Sequence, residues 1–189
     1  LALEAANATC DLPFTLKYVN SDDQGSPDQS PAAGQKLIDD ANVMAVIGPA
    51  FSGATAAIEP KFTEAGLVSV SPSATRADLT SLGFKTFYRV LQTDAVQGPF
   101  AAQFAVQTLM KKTIAIVHDK KAYGQGLAEA VAKEATKEGA TVLKTETINP
   151  GDTNFSATIT TPEAQHPHFR FSGGGYPAPA LPSTTLNAA

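Results

Sequence analysis

Two short apolar runs, residues 43–47 (VMAVI) and 67–70 (LVSV), each give way to a loop of small hydroxyl residues and then to a helix-forming stretch. That arrangement confines the chain to a small set of α/β folds. The first run is too short and too β-branched for a helix, and Gly48-Pro49 stops it, so it reads as a buried strand. Ser52 then stands where a side-chain oxygen can cap a helix over 54–65, and Gly66 ends that helix. The second run repeats the plan. It leads into Ser71-Pro72-Ser73-Ala74-Thr75, with Asp78 and Leu79 placed as a helical first turn.

Strand, loop and helix twice in succession predict parallel strands joined by right-handed crossovers, and ligands of such sheets bind outside the carboxyl ends of the strands. Ser52, Ser73 and Thr75 fall at those ends. Their hydroxyls, with the unpaired N–H groups of helix starts, suit a small anion such as a carboxylate. The same three residues serve equally well as helix caps, and the pattern alone does not separate a cap from a cradle.

At 189 residues with 43% apolar content, the chain is long enough for one large or two small globular domains. A net charge of −4 with scattered lysines argues against a nucleic-acid surface. No apolar stretch is long enough to span a bilayer, and no signal sequence opens the chain, so any export signal has been removed or lies outside it. Cys10 is alone, which excludes an intrachain disulfide. Of His118, His166 and His168, the last pair has no third ligand nearby and lies in a Pro-rich stretch, so no metal site is expected. Asp22, Asp23 and Asp28 lack the glycine and distal glutamate of a calcium loop, so residues 20–31 read as a solvated turn.

Along the rest of the chain, residues 1–8 are helical in pattern, 14–19 (FTLKYV) alternate as a half-buried strand, and 32–40 make a short helix. Another strand is expected at 86–90. The polar, turn-rich residues 91–99 suggest a domain boundary near 92. Beyond it, a helix over 100–109, a strand at 113–117, a loop over 120–126, a helix over 127–138 and a strand at 141–148 resume the same rhythm. A helical pattern starts at Phe155, and 168–172 (HFRFS) reads as a further strand with Gly173-Gly174-Gly175 as its exit. The expected organisation is therefore a first unit over 1–92, part of a second over 93–177, and an unassigned tail over 178–189.

Motifs of catalysis are missing where they would be sought. Residues 48–53 do not make the G-x-S-x-G nucleophile elbow, and neither a phosphate loop nor a G-x-G-x-x-G dinucleotide loop occurs. Tyr123-Gly124-Gln125-Gly126 holds a lone G-x-G that loop closure explains. The balance leans towards binding without turnover.

With these loops located, the sequence resembles the leucine/isoleucine/valine-binding family of type I periplasmic binding proteins, the extracellular solute-binding proteins of ABC transporters. The likeness rests on VIGPAFSGAT (46–55), SVSPSAT (69–75), FYRVLQTDAVQGP (87–99), IAIVHDKKAYGQGLA (114–128) and DTNFSATI (152–159), in the family's order. It implies an α/β fold of two Rossmann-like lobes with parallel central sheets that close on an amino acid by hinge bending, the second lobe being incomplete in this chain. By resemblance, the Ser52 hydroxyl holds the ligand α-carboxylate. Thr75 meets it through its N–H and helps the α-ammonium through its hydroxyl. The carbonyl of Ser73 or Ala74, with Ser73 favoured, also faces the ammonium. Tyr123 closes from the second lobe, and Tyr176 belongs to the next loop.

The resemblance further implies a small, branched or apolar amino acid as ligand and permease subunits as partners. It implies no cofactor, no metal, no nucleic acid and no membrane insertion, any lipid anchor lying outside this chain. The setting is the periplasm or outer face of a bacterial envelope. Gly25 and Phe51 stand near the positions where the family has a first-lobe disulfide. The acidic residue expected to neutralise the ammonium falls beyond this chain, and Arg170 and Ser172 stand where apolar residues are expected. A sensory module of the same fold, recognising an amide, urea or aromatic acid, is the alternative function. An enzyme on a Rossmann-like core is the third.

Overall fold

The computed structural model describes residues 1–149, 151, 152, 155, 158 and 166–175. After α1 (Ala2–Thr9) and α2 (Ser30–Asp39), the chain forms β1 (Ala45–Ile47), α3 (Ser52–Ala65), β2 (Val68–Ser71), a 3-10 turn (Ala77–Thr80) and β3 (Phe87–Arg89). The three strands make one parallel sheet in the order β1-β2-β3. Its register aligns Val46, Ser69 and Phe87 in one row, on the face that α3 covers with Ile58 and Phe62. Gly34 of α2 lies so near α3 that a Cβ there would stand 2.3 Å from Ile58 Cγ1, so only glycine permits this helix pair. The neighbouring row, Ile47, Val70 and Tyr88, points the other way, and Ile47 and Tyr88 are exposed.

A second parallel sheet follows, with β4 (Thr113–His118) between β5 (Thr141–Thr147) and β6 (Phe169–Gly173). β4 is buried along nearly its whole length, as a central parallel strand with continuous apolar sequence should be. Preceding it are α4 (Asp94–Gln103), which runs on into a π-helical turn (Phe104–Thr108), and after it comes α5 (Ala122–Lys137). Ala102 and Ala105 from that helical stretch pack with Val131 and Ala135 of α5 against Ile114 and Ile116 of β4. Each sheet thus has the strand–helix–strand grammar expected from the sequence.

Three local expectations need correction. α4 begins at Asp94, not near residue 100, so Gly98 and Pro99 lie inside it. A Cβ on Gly98 would come within 2.4 Å of Ala130 Cβ, so the residue that looks like a turn is there for close helix packing, which outweighs the one bond that Pro99 removes. α5 likewise begins at Ala122, not Leu127. Gly124 lets its first turn sit on the end of β4, where a Cβ would stand 2.3 Å from Asp119 Oδ1. Residues 14–19 form no strand. The Asn7 carboxamide takes both backbone groups of Leu16, its oxygen accepting the N–H at 2.8 Å and its nitrogen donating to the carbonyl at 2.9 Å, while Phe14, Tyr18 and Val19 stay exposed. An alternating pattern without a ladder partner does not make a strand.

Candidate functional site

Ser52 is the first residue of α3, after Phe51 at the N-cap, and its hydroxyl caps nothing in its own helix. It reaches across to the next loop, where it accepts the Arg76 N–H at 3.2 Å. Ser73 donates its hydroxyl to the Ala50 carbonyl at 2.6 Å, and Ser71 donates to the Pro49 carbonyl at 2.5 Å. The two hydroxyl loops are therefore stitched to one another. The bland reading of Ser52, Ser73 and Thr75 as helix caps is thereby corrected, because Ser52 and Ser73 spend their hydroxyls between loops and the Thr75 hydroxyl faces the Asp94 carboxyl.

Thr75 Oγ1 is buried without a hydrogen-bond partner. Its backbone carbonyl accepts the N–H of Asp94 at 2.9 Å, which brings the start of α4 against the loop. Asp94 is itself only 1% exposed, and its Oδ2 is also buried without a partner. Burial pushes the Asp94 carboxyl up, opposed by the Thr75 hydroxyl and the Arg89 guanidinium. The hydroxyl acts on the carboxyl across a gap short of a well-formed hydrogen bond. Polar groups left without a well-formed hydrogen bond out of water are costly, and here two of them stand side by side. Ala74 is wholly buried and Ser73 exposed, and no described residue donates to the Ser73 carbonyl.

Tyr123 lies in the first turn of α5, not in a loop, and is half-buried. Burial raises its phenol pKa, with further contributions from the negative charges of Asp94 and Asp119, so the hydroxyl shares their neighbourhood. A Cβ on Gly53 would stand 3.8 Å from Ala122 Cβ, which puts the N-termini of α3 and α5 against each other. Two helix N-termini converging on one spot favour negative charge there. Asp119 does not fill that role, since its oxygens accept the N–H groups of Lys121 at 3.1 Å and Gly175 at 3.0 Å. His118 is buried with Nδ1 accepting the Lys120 N–H, and burial holds its pKa down. Tyr176 lies outside the described residues.

Asp94 is the member of this polar cluster that sequence reading missed. It sits in what looked like a turn-rich linker, and an acid in a helix's first turn is too common to signal anything more. A groove of about 630 Å³ is lined by Asp94 itself with Arg76, Asp78, Glu129 and Lys133 among others, but by none of Ser52, Ser73, Thr75 or Tyr123. Asp94 thus stands between the groove and the hydroxyl loops, and within the groove Arg76 already pairs with Asp78. Among the described residues no group of three potential metal ligands comes together. Gly25 and Phe51 do meet: Gly25, at φ +63°, leaves room for the Phe51 ring, and a Cβ there would approach it to 2.9 Å. An aromatic contact stands where the family resemblance implies a disulfide.

Parallel α/β units joined in series, with a polar cleft where their helix N-termini meet, define the class of two-lobed ligand-binding proteins. Residues 1–183 match the family described as Periplasmic binding protein. The chain belongs to that family, with the type I fold of its leucine/isoleucine/valine-binding members. The leucine-, isoleucine-, valine-, threonine- and alanine-binding protein of Pseudomonas aeruginosa is 34% identical over 166 residues, covering 88% of this chain and 44% of that protein. The leucine-specific-binding protein of Salmonella typhimurium is 33% identical over 162 residues, covering 86% and 44%. In structure, the leucine-binding protein LivK of Thermotoga maritima superposes with a TM-score of 0.90 at 27% identity, covering 98% of this chain and 53% of that one. The chain thus spans less than half the length of these two curated relatives. None of its described helices is long and apolar enough to cross a membrane.

Proposed function

We propose that the protein is the solute-binding receptor of an ABC transporter and takes a small α-amino acid, branched-chain or apolar, into a cleft that closes by hinge motion between residues 1–92 and 93–177. The observation that carries this reading is the pair of buried, unpartnered atoms Thr75 Oγ1 and Asp94 Oδ2 beside the N-terminus of α3. An α-amino acid carries an anion and a cation on the same carbon. The α3 N-terminus and the Ser52 hydroxyl suit its carboxylate. The Thr75 hydroxyl, the Asp94 carboxylate and the Ser73 carbonyl suit its ammonium.

Tyr123 covers the head group from α5 and Ala74 forms the buried floor of the loop, while Tyr176, outside the described residues, is assigned to the ligand by the family resemblance alone. The names of the relatives support a branched apolar side chain. Binding needs no cofactor and no covalent chemistry. The partners are permease subunits, and the protein works in the periplasm or at the outer face of the cell envelope. Isothermal titration of the intact protein against the common amino acids tests the reading. Saturable binding of leucine, isoleucine or valine is expected, and binding of no amino acid overturns it.

A further inference from the structure

We infer that Arg89, which contacts no ligand, is the positioning residue that shapes the head-group loop; this rests on the amino-acid reading of the same site. Arg89 ends β3, beside the strand from which that loop departs. Its guanidinium donates to the carbonyls of Ala74 at 3.1 Å, Arg76 at 2.7 Å and Ala77 at 3.1 Å, and to Thr80 Oγ1 at 3.1 Å. One side chain thus answers three backbone acceptors where the loop runs into the 3-10 turn, the Arg76 carbonyl taking the Leu79 N–H at 3.4 Å as well.

The consequence lies in what is left over. Arg89 occupies the carbonyls of Ala74, Arg76 and Ala77, and the Asp94 N–H occupies that of Thr75. Across residues 73–77, the Ser73 carbonyl is the one to which no described residue donates. Together with the unpartnered Thr75 hydroxyl it forms an acceptor set that suits an ammonium. A planar fork with several fixed donors can hold three carbonyls at once, which a lysine ammonium on a flexible stem cannot. Loss of the fork frees those carbonyls to turn, and the acceptors lose their common aim. The carboxylate side is less affected, because the start of α3 follows a different strand and the two loops stay joined through Ser71 and Ser73 as well as through the Arg76 N–H on Ser52.

The test uses the intact protein with L-leucine and with 4-methylpentanoate, the same skeleton without the ammonium, in wild type, Arg89→Lys and Thr80→Val. In Arg89→Lys, leucine affinity is expected to fall about 10-fold or more while the weak affinity for 4-methylpentanoate holds, so the ratio between them collapses. Thr80→Val, which removes one of the four acceptors and disturbs the fold least, shifts the ratio in the same direction by a smaller factor. Far-UV circular dichroism and a thermal melt confirm folding. An unchanged ratio in Arg89→Lys, or in Thr80→Val where the lysine variant does not fold, overturns the inference. So does an equal loss for both compounds, which marks general damage. A wild type that binds no leucine removes the reading on which the inference rests.

Discussion

The backbone N–H of Asp94 donates to the carbonyl of Thr75 at 2.9 Å, joining the first residue of α4 to the loop at the end of β2. Arg89, on the near side of the same crossover, holds that loop through the carbonyls at Ala74, Arg76 and Ala77. The loop proposed to bind the ligand and the segment linking the two sheets are therefore one hydrogen-bonded piece. Under the proposed hinge closure, a ligand that fills the loop would bear directly on the crossover.

Thr75→Val removes a buried hydroxyl that has no partner. Folding should be unharmed or slightly strengthened, because an unsatisfied polar atom is replaced by a methyl of similar shape. Leucine affinity should fall about 10-fold for the lost hydrogen bond. Paired thermal melts and titrations check this, and a purely structural hydroxyl gives the opposite pattern.

Asp94→Asn keeps the shape and removes the charge facing the ammonium, so affinity should fall about 10- to 100-fold. Burial raises the Asp94 pKa, so in the wild type leucine binding weakens as pH falls through a range above that of an ordinary carboxylate. The asparagine variant should show a flatter profile over the same range. Titrations of both proteins from neutral to acid pH provide the comparison.

Glu59 lies wholly buried in α3, accepting the Ser69 hydroxyl at 2.5 Å on Oε1 while Oε2 has no partner. Burial raises its pKa to about 7 against the smaller opposing effect of that bond. The folded state therefore holds its proton after the unfolded state has released it. Stability contributed by this group falls as pH rises from the ordinary glutamate range towards 7, and the penalty is complete above 7. Glu59→Gln should stabilise the protein at pH 8 by on the order of 2 kcal/mol and change little at pH 4. Urea melts at the two pH values measure the difference.

Gly25→Ala should destabilise the fold by about 1–3 kcal/mol, because a side chain is strained at φ +63° and the new Cβ collides with the Phe51 ring. Chemical denaturation of the single variant, and of Gly25→Ala with Phe51→Leu to relieve the clash, separates the two causes. The double variant should recover part of the loss.

Much of the fold was legible because three strands carried their own stops: Gly48-Pro49 after β1, Pro72 after β2, Gly174-Gly175 after β6. The helix starts at Asp94 and Ala122 were not, since Gly98 and Gly124 read as turn residues when taken locally. Their reason is a neighbour far along the chain, Ala130 for one and Asp119 for the other. Site residues divided the same way. Ser52, Ser73 and Thr75 showed themselves by standing at strand ends, but what their hydroxyls do depends on Arg76 and Ala50 in the facing loop. Asp94 and Arg89 had no local signature, because a first-turn acid and a strand-end arginine are ordinary until their partners are known.

A crystal structure of the intact protein grown with L-leucine tests the central claim most directly. The account predicts leucine between the two sheets, its carboxylate at the Ser52 hydroxyl and the α3 N-terminus, and its ammonium within hydrogen-bond distance of Thr75 Oγ1 and Asp94. Leucine seated elsewhere, as in the groove beside Lys133, or loops that stay empty at saturating ligand, would contradict it.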